Sequence, residues 1–207
     1  MIVGIIDTGI CNTRSLQFAL KKLGVACEII NSGANTQRFD KLVLPGVGAF
    51  DYAIDNLHKS NLWDYINKCV IKERIPFLGI CLGMQLLAET SEEGKLEGLG
   101  LVPGRVKKIK PSDASGFKVP NVGWSYTEPV SEYFINAYKD EVKLPRFYYV
   151  HSYYFDCKNP KDLAMQVHLD RPYCAAVKSN HIWGAQFHPE KSHNYGLRFL
   201  KLWLDSI

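Results

Sequence analysis

The stretch PFLGICLGMQLLAE, residues 76–89, decides how the rest of the chain is read. Its first part, Phe77 to Ile80, is a short apolar run; from Leu82 onward the apolar residues recur at helical spacing, so a buried strand passes directly into a helix. Strands apolar on both faces belong to parallel sheets covered by helices. In such sheets reacting groups gather at the carboxyl ends of the strands, and Cys81 stands at one. Gly79 and Gly83 flank it two residues away on either side, the spacing with which a nucleophile elbow turns sharply from strand to helix and leaves its side chain exposed. The start of a helix adds N–H groups that favour a thiolate over a thiol. A free cysteine is otherwise most often a small buried apolar residue, so the assignment depends on what else the chain brings.

Outward from this point the N-terminal half alternates in the same way. Ile2 to Ile6, CEII (27–30) and KLVLPG (41–46) read as strands. Between and after them Leu16, Ala19, Leu20 and Leu23, then Phe50, Ala53, Ile54 and Leu57, then Leu62, Tyr65, Ile66, Cys69 and Val70 recur at three and four residues, with Gly24 stopping the first helix. From about Leu99 the texture changes to GRVKKI, KVPNVGW, RFYYVHSYYF, DLAMQVHL, YCAAVKS and IWGAQFH, strands rich in Val, Tyr, Phe and Ile. Leu197, Leu200, Trp203 and Leu204 mark an amphipathic helix at the end. The pattern predicts an α/β fold of three layers: a mostly parallel central sheet, flanking helices and an added antiparallel β region. No repeat or linker interrupts it, and residues 1–207 are read as a single domain.

Composition narrows the function classes. The chain has 207 residues, 46% of them hydrophobic, enough for one substantial core. Its 25 Lys and Arg against 21 Asp and Glu leave a net charge of +4, too small and too scattered for a phosphate-tracking surface. The one dense run, RVKKIK (105–110), alternates charge with Val106 and Ile109 as a strand with one solvated face does, so no nucleic-acid partner is expected. No apolar stretch is long enough to span a bilayer. Six cysteines without a C-x-x-C pair, and histidines that do not cluster with them, predict neither a disulfide framework nor a metal site. MIVGII lacks the basic start of a secretory signal, and a cytoplasmic location is expected.

A thiol nucleophile needs a base, and the base needs an orienting group. In WGAQFHPEKS (183–192) an apolar strand ends at His188, and Pro189 forces the chain out of the ladder so that Glu190 swings beside the imidazole. A carboxylate there would accept one ring N–H and leave the other nitrogen to face the thiol. A turn histidine beside a solvated glutamate is the plainer account of the pair taken alone. In LPGVGAF (44–50), at another strand end, Gly46 and Gly48 allow peptide N–H groups to turn outward, as a developing oxyanion requires. A simple turn is the alternative there.

LPGVGAF, GICLGMQLL and QFHPEKS, in this order along the chain, resemble the motifs of the class I (triad-type) glutamine amidotransferase family. Within it, VPNVGW, FYYVHSYYF and GLRFLKLW are similar to the glutaminase subunits of imidazole glycerol phosphate synthases. The resemblance implies that Cys81 attacks the carboxamide of glutamine, that His188 handles the proton and that Glu190 orients His188. It also implies an oxyanion hole from the N–H of Leu82 and one N–H of the Val47–Gly48 segment, and a glutamine held by Gln85, His151, Ser152 and Tyr153. No cofactor or metal is implied. The implied partner is a separate cyclase subunit, a (β/α)8 barrel that receives the ammonia, giving a heterodimer in histidine biosynthesis. Two departures concern the acceptor: DTGICN (7–12) lacks the family's aromatic after the aspartate and its glycine before the asparagine, and Ser125 stands where asparagine is usual. An amidotransferase of surface-sugar biosynthesis is therefore the alternative partner, and a non-catalytic regulatory or interaction subunit with the same fold is a further reading of the chain itself.

Overall fold

The computed structural model describes residues 1–9, 11–34 and 37–206; Ile10 of the DTGICN stretch lies outside them. The first half runs β1 (Ile2–Ile6), α1 (Thr13–Lys22), β2 (Ala26–Ile30), β3 (Lys41–Gly46), α2 (Phe50–Lys59), α3 (Leu62–Asn67), β4 (Phe77–Cys81) and α4 (Leu82–Gln85). The second half runs β5 (Thr90–Ser91), β6 (Gly104–Lys108), β7 (Asn121–Pro129), α5 (Glu132–Tyr138), β8 (Arg146–His151), β9 (Tyr153–Cys157), β10 (Leu163–His168), β11 (Pro172–Ser179), β12 (Ile182–Ala185) and α6 (His193–Asp205). Among the described residues the strands form one nine-stranded sheet in the order β2-β1-β3-β4-β12-β11-β10-β7-β8 and a small sheet β5-β6-β9. The first five strands of the large sheet are mutually parallel, and β11, β10, β7 and β8 continue it antiparallel.

The two faces of this sheet carry separate cores, which is what makes the fold three-layered. On β3, Val43 faces one side with Val3, Ile5, Leu78 and Ile80, covered by α1, α5 and α6 through Leu16, Leu20, Phe134, Phe199 and Trp203. Leu42 and Leu44 face the other with Ile6 and Phe77, covered by α2 and α3 through Phe50, Ile54, Leu57, Leu62 and Ile66. The alternation is the period of a strand buried on both sides. Each fully buried side chain of this size contributes about 1.5–3 kcal/mol. Lys41, at the start of β3, is buried too, and its ammonium donates to the carbonyls of Trp203 (3.0 Å) and Ser206 (2.5 Å), capping the end of α6.

Three elements differ from the sequence expectation. The helix read over residues 82–89 is a single turn, α4, because the chain beyond Gln85 folds back: Leu99 N–H donates to Leu86 O, Gly100 N–H to Ala88 O and Val102 N–H to Leu87 O. RFYYVHSYYF is two strands in two sheets. β8 pairs with β7 while β9 pairs with β6, and the break falls at Ser152. The helix α5 has no counterpart in the sequence pattern; it is held by Phe134 and Tyr138, a four-residue spacing hidden among β-prone aromatics. The RVKKIK run behaves as expected, with Val106 buried and Arg105 and Lys107 paired to Asp156 in solvent.

Candidate active site

Register alone brings the candidate residues together. Gly46 pairs with Cys81 across β3 and β4, so the Val47–Gly48 segment and Leu82 leave the sheet from the same level. Ala185 pairs with Ile80 across β12 and β4, so His188, three residues on, rises beside Cys81. Val47, Gly48, Cys81, Leu82 and His188 line one cavity of about 290 Å³ at the carboxyl ends of these strands.

Cys81 turns the chain with φ 55° and ψ −111°, a conformation that non-glycine residues adopt at a cost of about 1–3 kcal/mol and that marks a strained elbow. The flanking glycines are required by contact. A Cβ on Gly83 would stand 1.8 Å from the carbonyl oxygen of Leu44, and one on Gly79 would stand 2.5 Å from the carbonyl oxygen of Gly83. The one-turn helix is thus pressed directly onto β3 and β4. Gly83→Ala is expected to destabilise the chain by about 3 kcal/mol or more, lowering Tm by roughly 6–12 °C. Thermal unfolding checks this; a Tm within about 2 °C of the parent would mean that α4 is free to slide.

Pro189–Lys191 form one 3-10 turn that carries Glu190 back to its neighbour, and His188 Nδ1 lies 2.8 Å from Glu190 Oε1. Both side chains are buried, at 5% and 9% exposure, so little solvent screens the contact. Burial opposes a charged imidazole, but interactions with Cys81 and with Glu190 outweigh it and raise the His188 pKa to about 9. Backbone ties hold the ring's base in place. His188 N–H donates to Tyr148 O (2.9 Å), while the buried Ser192 hydroxyl donates to His188 O (2.6 Å) and accepts from Tyr148 N–H (2.9 Å). The turn that carries Glu190 therefore docks on both backbone polar groups of Tyr148 at the edge strand β8.

Residues 4–204 match the family described as glutamine amidotransferase class-I. The chain belongs to the class-I glutamine amidotransferase family. The imidazole glycerol phosphate synthase subunit HisH 2 of Methanococcus maripaludis is 40% identical over 97% of each chain, and the protein of the same name from Pseudomonas aeruginosa is 38% identical over the whole of both. Among solved structures, PurLQS from Thermotoga maritima superposes with a TM-score of 0.73 at 16% identity, covering 99% of this chain and 97% of that one, a likeness of fold.

Gln85, His151, Ser152 and Tyr153, the residues expected to hold glutamine, line the same cavity. Ser152 and Tyr153 line the cavity at the bend between β8 and β9. His151 also lines it, but both its ring nitrogens are engaged: Nδ1 is 2.8 Å from Tyr153 O and Nε2 is 3.0 Å from Asn121 Nδ2. A carbonyl can only accept and an amide NH2 can only donate, so the ring is neutral with its proton on Nδ1. Burial lowers its pKa to about 4 despite the Tyr153 carbonyl, and His188 adds to the lowering. His151 is thus a wall of the site. Gln85 is buried and donates through Nε2 to Tyr153 O (3.2 Å) and Gln186 Oε1 (3.0 Å).

Sequence reasoning passed over four residues here. Asn121 of VPNVGW and Gln186 and Ser192 of WGAQFHPEKS stand inside the motifs, but nothing about residue type distinguishes them. Glu93 stands outside every motif; it lines the cavity, accepts from Phe50 N–H at the start of α2 (3.1 Å), and burial pushes its carboxyl up.

Proposed function

We propose that this chain is a single-domain glutaminase subunit of an imidazole glycerol phosphate synthase, hydrolysing glutamine and passing ammonia to a separate cyclase. The observation that carries the glutaminase chemistry is the buried 2.8 Å contact of His188 with Glu190 beside a cysteine held on a strained elbow. The choice of synthase is supported by full-length relatives named HisH at 36–40% identity.

In this reading the Cys81 thiolate attacks the carboxamide carbon. The tetrahedral oxyanion forms against the N–H of Leu82, which as the first residue of a helix has no intrahelical acceptor, and against an N–H of the Val47–Gly48 segment, where Gly48 takes a φ of +95°. The His188 imidazolium protonates the departing amine, and the thioester remains. The neutral imidazole then takes a proton from water, the water opens the thioester, and glutamate leaves. Glu93 faces the same cavity and suits the α-ammonium of glutamine, with Ser152 and Tyr153 beside it.

Ammonia released into water is largely protonated and no longer nucleophilic, so the acceptor must seat over this end of the sheet. β7 and β8 offer the surface. Val122, Trp124, Tyr126 and Val150 project outward at 58%, 38%, 50% and 41% exposure, and Val150 also lines the cavity. Arg146 lies over the rings of Trp124 and Tyr126. A cyclase barrel docked here would receive ammonia directly from Cys81. The test is to mix the chain with the cyclase of the same organism: a one-to-one complex forms, and glutamine hydrolysis rises when the cyclase carries its ligand. Full activity of the isolated chain, or assembly with a surface-sugar synthase in its place, overturns the assignment.

A further inference from the structure

We propose that Gln186 is a positioning residue that holds the Cys81 sulfur in its anionic, reactive orientation, an inference that rests on Cys81 being the nucleophile. Gln186 is fully buried, and its backbone N–H donates to Ala175 O at 2.8 Å, which fixes where its side chain starts. Its Oε1 accepts from Gln85 Nε2 at 3.0 Å, and Gln85 Nε2 also donates to Tyr153 O at 3.2 Å. That chain of amides leaves one orientation for Gln186. Turning it over would set NH2 against NH2, so the Nε2 donor must face Cys81 Sγ, 3.9 Å away.

The sulfur thus has two neighbours of opposite preference. Val150 O, at 3.8 Å, can only accept, so it favours the S–H form. Gln186 Nε2 can only donate, so it favours the thiolate. Loss of the thiol proton turns the first contact repulsive and the second attractive, and the sulfur settles against Gln186. The other charged or titratable side chains lining the same cavity are Glu93, His151, Tyr153, His188 and Lys191, and of these His188 is the one the thiolate answers to.

The experiment uses the complex with the synthase subunit. Gln186→Met keeps length and volume but removes donor and acceptor. Expected are a fall in kcat for glutamine hydrolysis of about tenfold or more, with KM within about threefold. The pH midpoint for alkylation of Cys81 by iodoacetamide should rise by about one unit. Co-elution of the variant with the synthase subunit as a one-to-one complex reports that the variant folds and docks. An unchanged alkylation midpoint overturns the proposal whether or not kcat falls, since packing loss alone would leave the thiol's titration in place. Should the variant not assemble, the side-chain amide resonances of Gln186 in the unsubstituted chain decide: they move with the titration of Cys81 and stay still in Cys81→Ala, and stillness in both overturns it. Glutamine hydrolysis that survives iodoacetamide in the unsubstituted complex would instead remove the nucleophile reading on which this rests.

Discussion

Replacing Cys81 with alanine is expected to abolish glutamine-dependent synthesis by the assembled enzyme while synthesis from added ammonia continues. The drop in glutamine hydrolysis should be at least about 10⁴-fold, because without the sulfur there is no covalent intermediate and the remaining groups only bind and polarise the carboxamide. The substitution is mild for the fold. Cys81 is 6% exposed and small, and alanine meets the same positive φ that cysteine already bears, so the elbow keeps its strain without gaining more. Steady-state rates with each nitrogen source measure this directly. If both activities persist, another group is the nucleophile; if the variant no longer co-elutes with the synthase subunit, the sulfur is needed for docking.

Much of this site was legible from local sequence because the parallel sheet converts sequence spacing into spatial coincidence. Three strand ends, at Gly46, Cys81 and Ala185, lie at one level, so motifs that each end a strand must meet. Pro189 after His188 sufficed to place Glu190, since leaving the ladder at that point returns the next carboxylate to the ring. What escaped were the groups whose role depends on neighbours from other elements. Gln186 and Asn121 are ordinary amides until Gln85 and His151 are set against them, 101 and 30 residues away in the chain. His151 is a candidate substrate residue through the resemblance alone, and only the structure shows that both its ring nitrogens already have protein partners. The two glycines of the elbow mark a sharp turn by their spacing, and the structure also requires them for close approach of α4 to the backbone of β3 and β4. The split of RFYYVHSYYF between two sheets has no local signal either, since β8 and β9 are equally aromatic and only their partners differ.

Glu190→Gln carries the second large effect, and it separates orientation from mere packing. The Glu190 carboxylate accepts from His188 Nδ1, which leaves Nε2 to face the sulfur; a glutamine can present its NH2 and stabilise the opposite tautomer. A loss of about 10²–10⁴-fold in kcat is expected, with KM little changed. The pH dependence gives the sharper test. Burial works against the imidazolium, and Cys81 and Glu190 together raise its pKa from 6.5 to about 9; without the carboxylate the alkaline limb of the glutaminase profile should move to lower pH. The same linkage fixes the sign for stability. A raised histidine pKa contributes stability that is fully present below 6.5 and is lost as pH rises through about 9. The parent should therefore exceed the variant most in stability at mildly acidic pH, and the two should converge in alkali. An alkaline limb that stays where it was, with kcat reduced, would mean that the carboxylate fills space beside His188 without setting its charge.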